Sequence, residues 1–200
     1  MTQSPMLVRL NRETQSHQAA ADQDRMQLLG AVSPDQYATF LGRIWGFEAP
    51  VEAMLVRTAA IAELVDVRAR AHIRMLRADL AALGVTSPSS LPSCRTIPSF
   101  QIADALGWIF AIEHNAQMNG QLRRHLAKRI PRQLSSAGSY LSEGERSVGP
   151  RMLELGRALD LVARKGEIAN RVVDAARAAF QHQNQWFRAV AMPSLARRFA

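Results

Sequence analysis

Cysteine is nearly absent from this sequence, which contains only Cys94. A single cysteine cannot form an internal disulfide, so we expect folding without cross-links in a reducing, cytoplasmic setting. The paired cysteines and His-Glu-x-x-His pattern of zinc proteins are missing. So are the glycine-rich motifs of nucleotide-binding folds and the Gly-x-Ser-x-Gly motif of hydrolases. These absences argue against a zinc site and against familiar nucleotide or serine-hydrolase chemistry.

Long uninterrupted hydrophobic runs are also missing. Charged residues break every apolar stretch before it reaches the length that a membrane span requires. The opening segment, Met1 to Met6, has no basic stretch followed by an apolar run, which a secretion signal would need. We therefore expect a soluble protein that does not associate with a membrane.

Acidic residues are in the minority, with 17 against 25 basic residues and a net charge of +8. Most of the basic residues are arginine, whose planar fork suits carboxylates and phosphates. Such a balance attracts nucleic acid, anionic lipid or an acidic small molecule, and charge alone does not choose among them. The arginines are spread over every segment, and no helix-turn-helix pattern accompanies them. A nucleic-acid binder is therefore the least favoured hypothesis.

Strand-like alternation is almost absent as well, and apolar residues recur at intervals of three and four, which predicts an all-α fold. The chain has 200 residues, 48% of them hydrophobic, and this size favours one domain. We expect a helical domain over 1–192 and a basic tail over 193–200. Ser33 is typical of a helix start, Gly84 of a helix end, and Pro50 of an interruption.

The remaining boundaries follow from the same periodicity. Apolar spacing predicts helices over four further ranges: 7–22, 66–83, 150–164 and 167–192. The stretch 86–98, with three prolines and four serines, is a predicted loop. The run from Phe100 to about Ile130 is too long for one straight helix, so we expect a kink within 115–120. The polar stretch 133–149 is the segment predicted to be most mobile.

Histidine is scarce, and His17 on the first predicted helix has the most informative surroundings. A lone helical histidine is usually a surface or core residue without a chemical role. Here Leu10, Thr14 and His17 together resemble the proximal segment of the haem oxygenase family. Two further segments are similar to that family and to its bacterial, biliverdin-producing branch: Ser33-x-x-x-Tyr37-x-x-x-Leu41 followed by Phe47 and Glu52, and Arg74-x-Leu76-x-x-Asp79-Leu80-x-x-Leu83-Gly84. The resemblance runs from Leu7 to about Arg188.

That resemblance implies a helical bundle in which haem lies between the first helix, where His17 binds iron, and a kinked distal helix at 107–121. Relatives in the bacterial branch have glycines where this chain has Asn115 and Asn119, and only Gly120 of the distal glycines is kept. Ala116 stands near an aspartate of the animal-type enzymes. Two interpretations of the polar residues Asn115, Gln117 and Asn119 stay open. In one, they hold water or bound oxygen, Asn115 and Asn119 form a catalytic set with Gly120, and His114 approaches the iron from the distal side. In the other, they are polar cover on an exposed helix face.

The resemblance also implies which other side chains contact haem. Propionates need cations at the open edge of a haem pocket, which gives the basic excess a specific use. The candidates for the propionates are Arg12, Arg151 and Arg157, and those for the macrocycle are Phe110, His114, Ala116 and Phe180. Plain core packing would explain the two phenylalanines equally well.

Two functions are consistent with these features. The first is a haem oxygenase, for which haem is both cofactor and substrate, and which opens it to biliverdin, carbon monoxide and iron. The chain has no flavin or iron–sulfur motif, so this function requires an external reductase as partner. The second is a family member that binds haem or a bilin without turnover. Relatives of the bacterial branch are associated with bilin-using photoreceptors, which makes such a photoreceptor a candidate partner.

Overall fold

The computed structural model describes residues 4–29 and 33–190. Over these residues the regular secondary structure is helical and contains no β-strand, so the all-α prediction is confirmed. The α-helices are α1 (Pro5–Glu13), α2 (Gln15–Met26), α3 (Pro34–Arg57), α4 (Ile73–Ala82), α5 (Ile102–Ala116), α6 (Asn119–Arg129), α7 (Pro131–Ser136), α8 (Ser139–Val162) and α9 (Gly166–Ala189). In the described part of the chain, no helix combines the length and apolar character of a membrane span. The tail predicted at 193–200 lies outside the described residues.

Thr14 divides the predicted first helix into α1 and α2. Its backbone angles, φ −113° and ψ 9°, leave the α-helical region. The Thr14 hydroxyl donates to the Leu10 carbonyl at 2.8 Å, a bond by which threonine side chains compete with the helical ladder. The break places His17 in the first turn of α2 instead of the middle of a longer helix.

Pro50 does not interrupt its helix as predicted, because α3 is continuous from Pro34 to Arg57. Proline has no N–H, so the Gly46 carbonyl one turn earlier loses its helical donor. The Cys94 N–H donates to that carbonyl at 2.8 Å and so replaces the missing bond. A Cβ at Gly46 would lie 2.4 Å from the Pro92 carbonyl oxygen. The absence of a side chain at Gly46 therefore lets the loop approach α3 closely enough for the Cys94 N–H to bond the Gly46 carbonyl.

Two other predicted boundaries are confirmed. Gly84 ends α4 with a φ of 81°, and the N–H groups of Gly84 and Val85 donate to Ala81 and Leu80, each at 2.9 Å. This is the Schellman pattern, which needs a left-handed residue at that position. The long apolar run from 100 to 130 divides between α5 and α6, inside the predicted kink region.

The stretch 133–149, predicted to be the most mobile, instead lies mainly in α7 and the first turns of α8. The buried carboxylate of Asp79 on α4 accepts the N–H of Ser139 at 3.1 Å and that of Tyr140 at 2.8 Å. These donors belong to the first turn of α8, where helical N–H groups have no intrahelical acceptor. A cap supplied from a distant helix therefore orders a segment that looks irregular in composition.

Helix α5 occupies the centre of the fold and packs most extensively on α9 and α8. A Cβ at Gly107 would lie 2.5 Å from the Val172 carbonyl oxygen, so this glycine allows α5 and α9 to approach closely. One apolar cluster surrounds Trp108, Phe110 and Phe180, and a second surrounds α3, α4 and α6. Helix α5 also contacts α2 and α3. It carries side chains toward two separate polar regions: one contains His114 and Asn115, and the other contains Glu113.

Candidate functional site

His17 is half-buried on α2 and faces α9. Its Nε2 lies 3.2 Å from the Nε2 of Gln181, and its Nδ1 lies 3.4 Å from the hydroxyl of Ser16. The Gln181 amide nitrogen can only donate, so His17 Nε2 acts as the acceptor. The lone pair that a metal ligand requires is used by this contact and becomes available only when the contact opens. Neither neighbour is charged, so the imidazole is not committed to an ion pair.

An aromatic group lies next to this contact. The His114 ring meets the Phe180 ring edge to face, with 5.6 Å between centroids. Phe110 meets Phe180 in the same way at 6.3 Å. Because Phe180 precedes Gln181, the histidines of α2 and α5 approach the same turn of α9.

Asp22 joins α2 to the distal helix α5, since its Oδ1 lies 3.2 Å from His114 Nε2. Burial lowers the pKa of His114, and the Asp22 carboxylate opposes that shift. A carboxylate can only accept, so this contact places the imidazole proton on Nε2. The lone pair of a neutral His114 then resides on Nδ1.

Asn115 is fully buried and faces α9. Its amide nitrogen donates to Gln183 Oε1, while the Gln183 amide nitrogen donates back to Asn115 Oδ1 at 3.4 Å. Gln183 is also fully buried. The pair satisfies two amides inside the core, so Asn115 is not polar cover on an exposed face.

Asn119 and Gly120 lie at the start of α6 and face α8. A Cβ at Gly120 would lie 2.9 Å from Glu145 Oε1, and Asn119 packs against Gly144 with both amide atoms buried and unbonded. Ala116 is buried at the end of α5. The structure therefore directs Asn115 toward α9 and the other two distal candidates toward α8.

The three candidate arginines for propionates have different environments. The Arg12 side chain is 76% exposed, with one weak contact of 3.7 Å to Glu13, and Arg157 on α8 is exposed. Arg151 is only 4% exposed, and its Nε lies 2.9 Å from Glu113 Oε1. Arg12 and Arg157 can reach a ligand at the surface, whereas Arg151 is held inside the protein.

Arg151 belongs to an internal ion cluster, which we define as Arg25, Glu48, Arg70, His72, Glu113 and Arg151. Glu113 joins Arg151 to Arg70, whose Nε lies 3.1 Å from Glu113 Oε1. Glu48 contacts Arg25 and His72, each at 3.6 Å, and accepts the Tyr140 hydroxyl at 2.7 Å. Burial raises the pKa of Glu113, and the two arginines oppose that rise. A cavity of about 20 Å³, the size of a water molecule, lies beside Glu48, His72 and Glu113.

Sequence reasoning missed Asp22, Gln181 and Gln183 as members of this site. Gln183 did carry a signal, because it occupies a core position in the period of α9 that contains Val172, Ala176, Phe180 and Phe187. A polar residue at a core position needs a buried partner. Nothing in the local sequence identifies that partner as Asn115.

Among the described residues, no group of three or more histidine, cysteine, aspartate or glutamate side chains is arranged to hold a metal ion. The family model described as "Heme oxygenase" matches residues 4–189. Comparisons with curated proteins and with solved structures gave no match.

Proposed function

Because this chain belongs to the haem oxygenase family, we propose that it binds haem through His17 and opens it oxidatively to biliverdin, carbon monoxide and iron. When bound, haem supplies both the iron that activates dioxygen and the macrocycle that is opened. Electrons come from an external reductase, and a bilin-using photoreceptor is a proposed recipient of the product.

The observation that carries the proposal is that His17 contacts Gln181 of α9, while Phe110 and His114 pack on Phe180, the residue before Gln181. Iron in haem takes a neutral imidazole as its proximal ligand, and His17 Nε2 accepts from a neutral amide. The rings offer apolar contact to a flat macrocycle. This donor set fits haem.

The charges at the surface fit the other end of the ligand. Arg12 and Arg157 are exposed, and arginine forms strong charge-assisted hydrogen bonds with carboxylates such as the propionates. Asn115 is bonded to Gln183 inside the core, so its proposed catalytic part, holding water or bound oxygen, requires this pair to open. Asn119 and Gly120 face α8, so their catalytic part is confined to shaping the α5–α6 break.

The test is a haem titration of the wild type, of His17→Ala and of His125→Ala. His125 is a half-buried histidine of α6 and serves as the matched control. We expect an axial-histidine spectrum that His17→Ala loses and His125→Ala retains. Equal and weak binding by all three would reject the proposal.

The same complex then tests turnover. After anaerobic reduction and admission of air, the wild-type spectrum should decay to a bilin band, with carbon monoxide released in proportion. The second candidate function, binding of haem or a bilin without turnover, predicts a stable spectrum instead. The altered distal positions favour this second candidate, because Asn115 and Asn119 stand where relatives of the bacterial branch have glycines, and Ala116 stands near an aspartate of the animal-type enzymes.

A further inference from the structure

We infer that residues 15–24 of α2 form a lid, which is closed in the described conformation and which moves away from α5 and α9 before haem reaches His17. The inference rests on the proposed binding of haem through His17 and adds the way in which that site opens. The opening itself is a property of the haem-free protein, where it can be measured without a ligand.

Direct contacts close the region between α2, α5 and α9. Asp22 Oδ1 lies 3.2 Å from His114 Nε2, so α2 and α5 are in hydrogen-bond contact. His17 Nε2 lies 3.2 Å from the Gln181 amide nitrogen of α9, which occupies the lone pair of the imidazole. A flat macrocycle does not fit between atoms at these distances. The described conformation is therefore closed to haem on this side of His17.

The contacts that hold the lid are mainly polar. Among the residues of α2, only Ala21 and Arg25 are buried, and an alanine side chain contributes little apolar area. Asp24 adds a third polar contact, because its Oδ2 accepts from the Asn184 amide nitrogen at 2.9 Å. Such hydrogen bonds stabilise a protein only modestly, since water replaces them when they open. The lid can therefore separate from α5 and α9 without exposing a large apolar surface.

The two ends of the lid are fixed more firmly than its middle. Leu10, one turn before the lid, is fully buried, and Thr14 interrupts the helix between α1 and α2. At the other end, Arg25 is buried in the internal ion cluster and Leu28 in the second apolar cluster. We therefore expect residues 15–24 to move between these two fixed ends.

Helix α1 provides an internal reference, because it is held by apolar packing as well as by hydrogen bonds. Met6 and Leu10 are both buried in the first apolar cluster. The Ser4 hydroxyl and the Met6 N–H both donate to Asp160 Oδ1 of α8, at 2.8 and 3.1 Å. Because α1 and α2 are adjacent in the chain, a difference in their opening reports on the lid and not on unfolding of the whole protein.

Opening of the lid should limit the rate at which haem binds. A conformational step that precedes binding makes the observed rate independent of ligand concentration once the ligand is in excess. The rate of haem binding to the wild type should therefore level off as the haem concentration rises.

Hydrogen exchange measures the opening in the haem-free protein. We expect the backbone amides of α2 to exchange together and faster than those of α1, because a detached helix of this length is only marginally stable in water. Asp22→Ala removes the contact with His114 and should raise exchange in α2 about tenfold. Asp174→Ala is the control, since this carboxylate is 70% exposed on α9 and pairs only with Arg177.

Cross-linking then tests whether haem needs the lid to open. In one variant, Asp24→Cys and Asn184→Cys are joined by a short bis-maleimide reagent, which ties the lid to α9. The matched variant joins Arg9→Cys to Asn170→Cys, whose native side chains are in contact at 2.6 Å and which ties α1 to the same helix. Wild type treated with the reagent controls for the buried Cys94. Haem binding should slow about tenfold or more in the first variant and stay unchanged in the second.

The outcomes separate the lid from the proposed function. If α2 exchanges no faster than α1, or if haem binds at the wild-type rate after the lid is tied to α9, the lid is overturned and haem binding through His17 is left intact. If the wild type binds no haem, the proposed function is overturned, and hydrogen exchange still decides whether α2 opens.

Discussion

The two polar regions beside α5 bury their side chains by different means. Toward α2 and α9, His114 and Asn115 meet Asp22 and Gln183, and the surroundings are aromatic. Toward α8 and the segment that precedes α4, the adjacent Glu113 lies between Arg151 and Arg70 inside the ion cluster. Buried ion pairs recover their desolvation cost only while every partner is present, whereas an uncharged amide pair costs less to disrupt. The first region is therefore suited to exchanging partners for a ligand, and the second to fixing the helices.

The ion cluster should be the more sensitive of the two regions. Glu113→Gln leaves Arg151 buried without a counter-charge and Arg70 with Glu154 alone, so the free energy of unfolding should fall by about 3–5 kcal/mol. Glu145→Gln is the control, because Glu145 pairs with Arg123 and Arg124 near the surface and such pairs contribute about 0–1 kcal/mol. Urea titration measures the free energy of unfolding of both variants. Equal losses of stability would contradict the expected difference between buried and surface charges.

The amide pair should show a smaller loss that a second substitution restores. Asn115→Leu leaves the Gln183 amide buried and unbonded, at a cost of about 1–3 kcal/mol in unfolding free energy. Replacing both residues with leucine removes both polar groups and should recover most of that loss. A double-mutant cycle by urea unfolding measures the coupling, and strictly additive losses would contradict the pairing.

Haem affinity should depend on the exposed arginines and not on the buried one. Arg157→Ala removes a charge-assisted contact to a propionate, so we expect about tenfold weaker haem binding, or about 1.4 kcal/mol. Arg164→Ala, another exposed arginine, is the control. Haem titration decides, and equal affinities for the two variants would exclude Arg157 as a propionate ligand.

The smallest expected effect is a pH dependence in the region of His114. Burial keeps the pKa of His114 below its ordinary value of 6.5, so the unfolded chain takes up this proton first as the pH falls. The contribution to stability is therefore present above pH 6.5 and is lost as the pH drops from there toward the folded-state pKa, by at most about 1.4 kcal/mol per pH unit. Unfolding free energies of the wild type and His114→Phe from pH 7 downward should diverge, and parallel curves would contradict the shift.

Local signals in the sequence located some features of the fold reliably. Gly84 ends α4 because only a residue without a Cβ adopts its positive φ at no cost. The break between α5 and α6 fell within the predicted kink region. The interruption predicted at Pro50 was wrong, because the donor that replaces the missing N–H comes from Cys94, in a loop distant in sequence. The cap that Asp79 provides for α8 could not be predicted either, because Asp79 is also distant in sequence from the N–H groups that it accepts.

For the candidate site, too, the sequence indicated some features correctly and others wrongly. The family resemblance carried by Leu10, Thr14 and His17 singled out the first helix. The same resemblance named Phe110, His114 and Phe180, which the structure brings together. The same reasoning treated Arg151 as an equal of Arg12 and Arg157. Arginines on amphipathic helices have the same pattern whether they face solvent or a buried carboxylate.

The sequence by itself determined the helical class and several helix ends, because periodicity and caps act over a few neighbouring positions. Only the tertiary structure decided which polar residues meet: Asp22 with His114, Asn115 with Gln183, and Glu113 with Arg70 and Arg151. Each of these contacts joins different helices. Their partners are selected by how the apolar faces pack, and no local pattern records that choice.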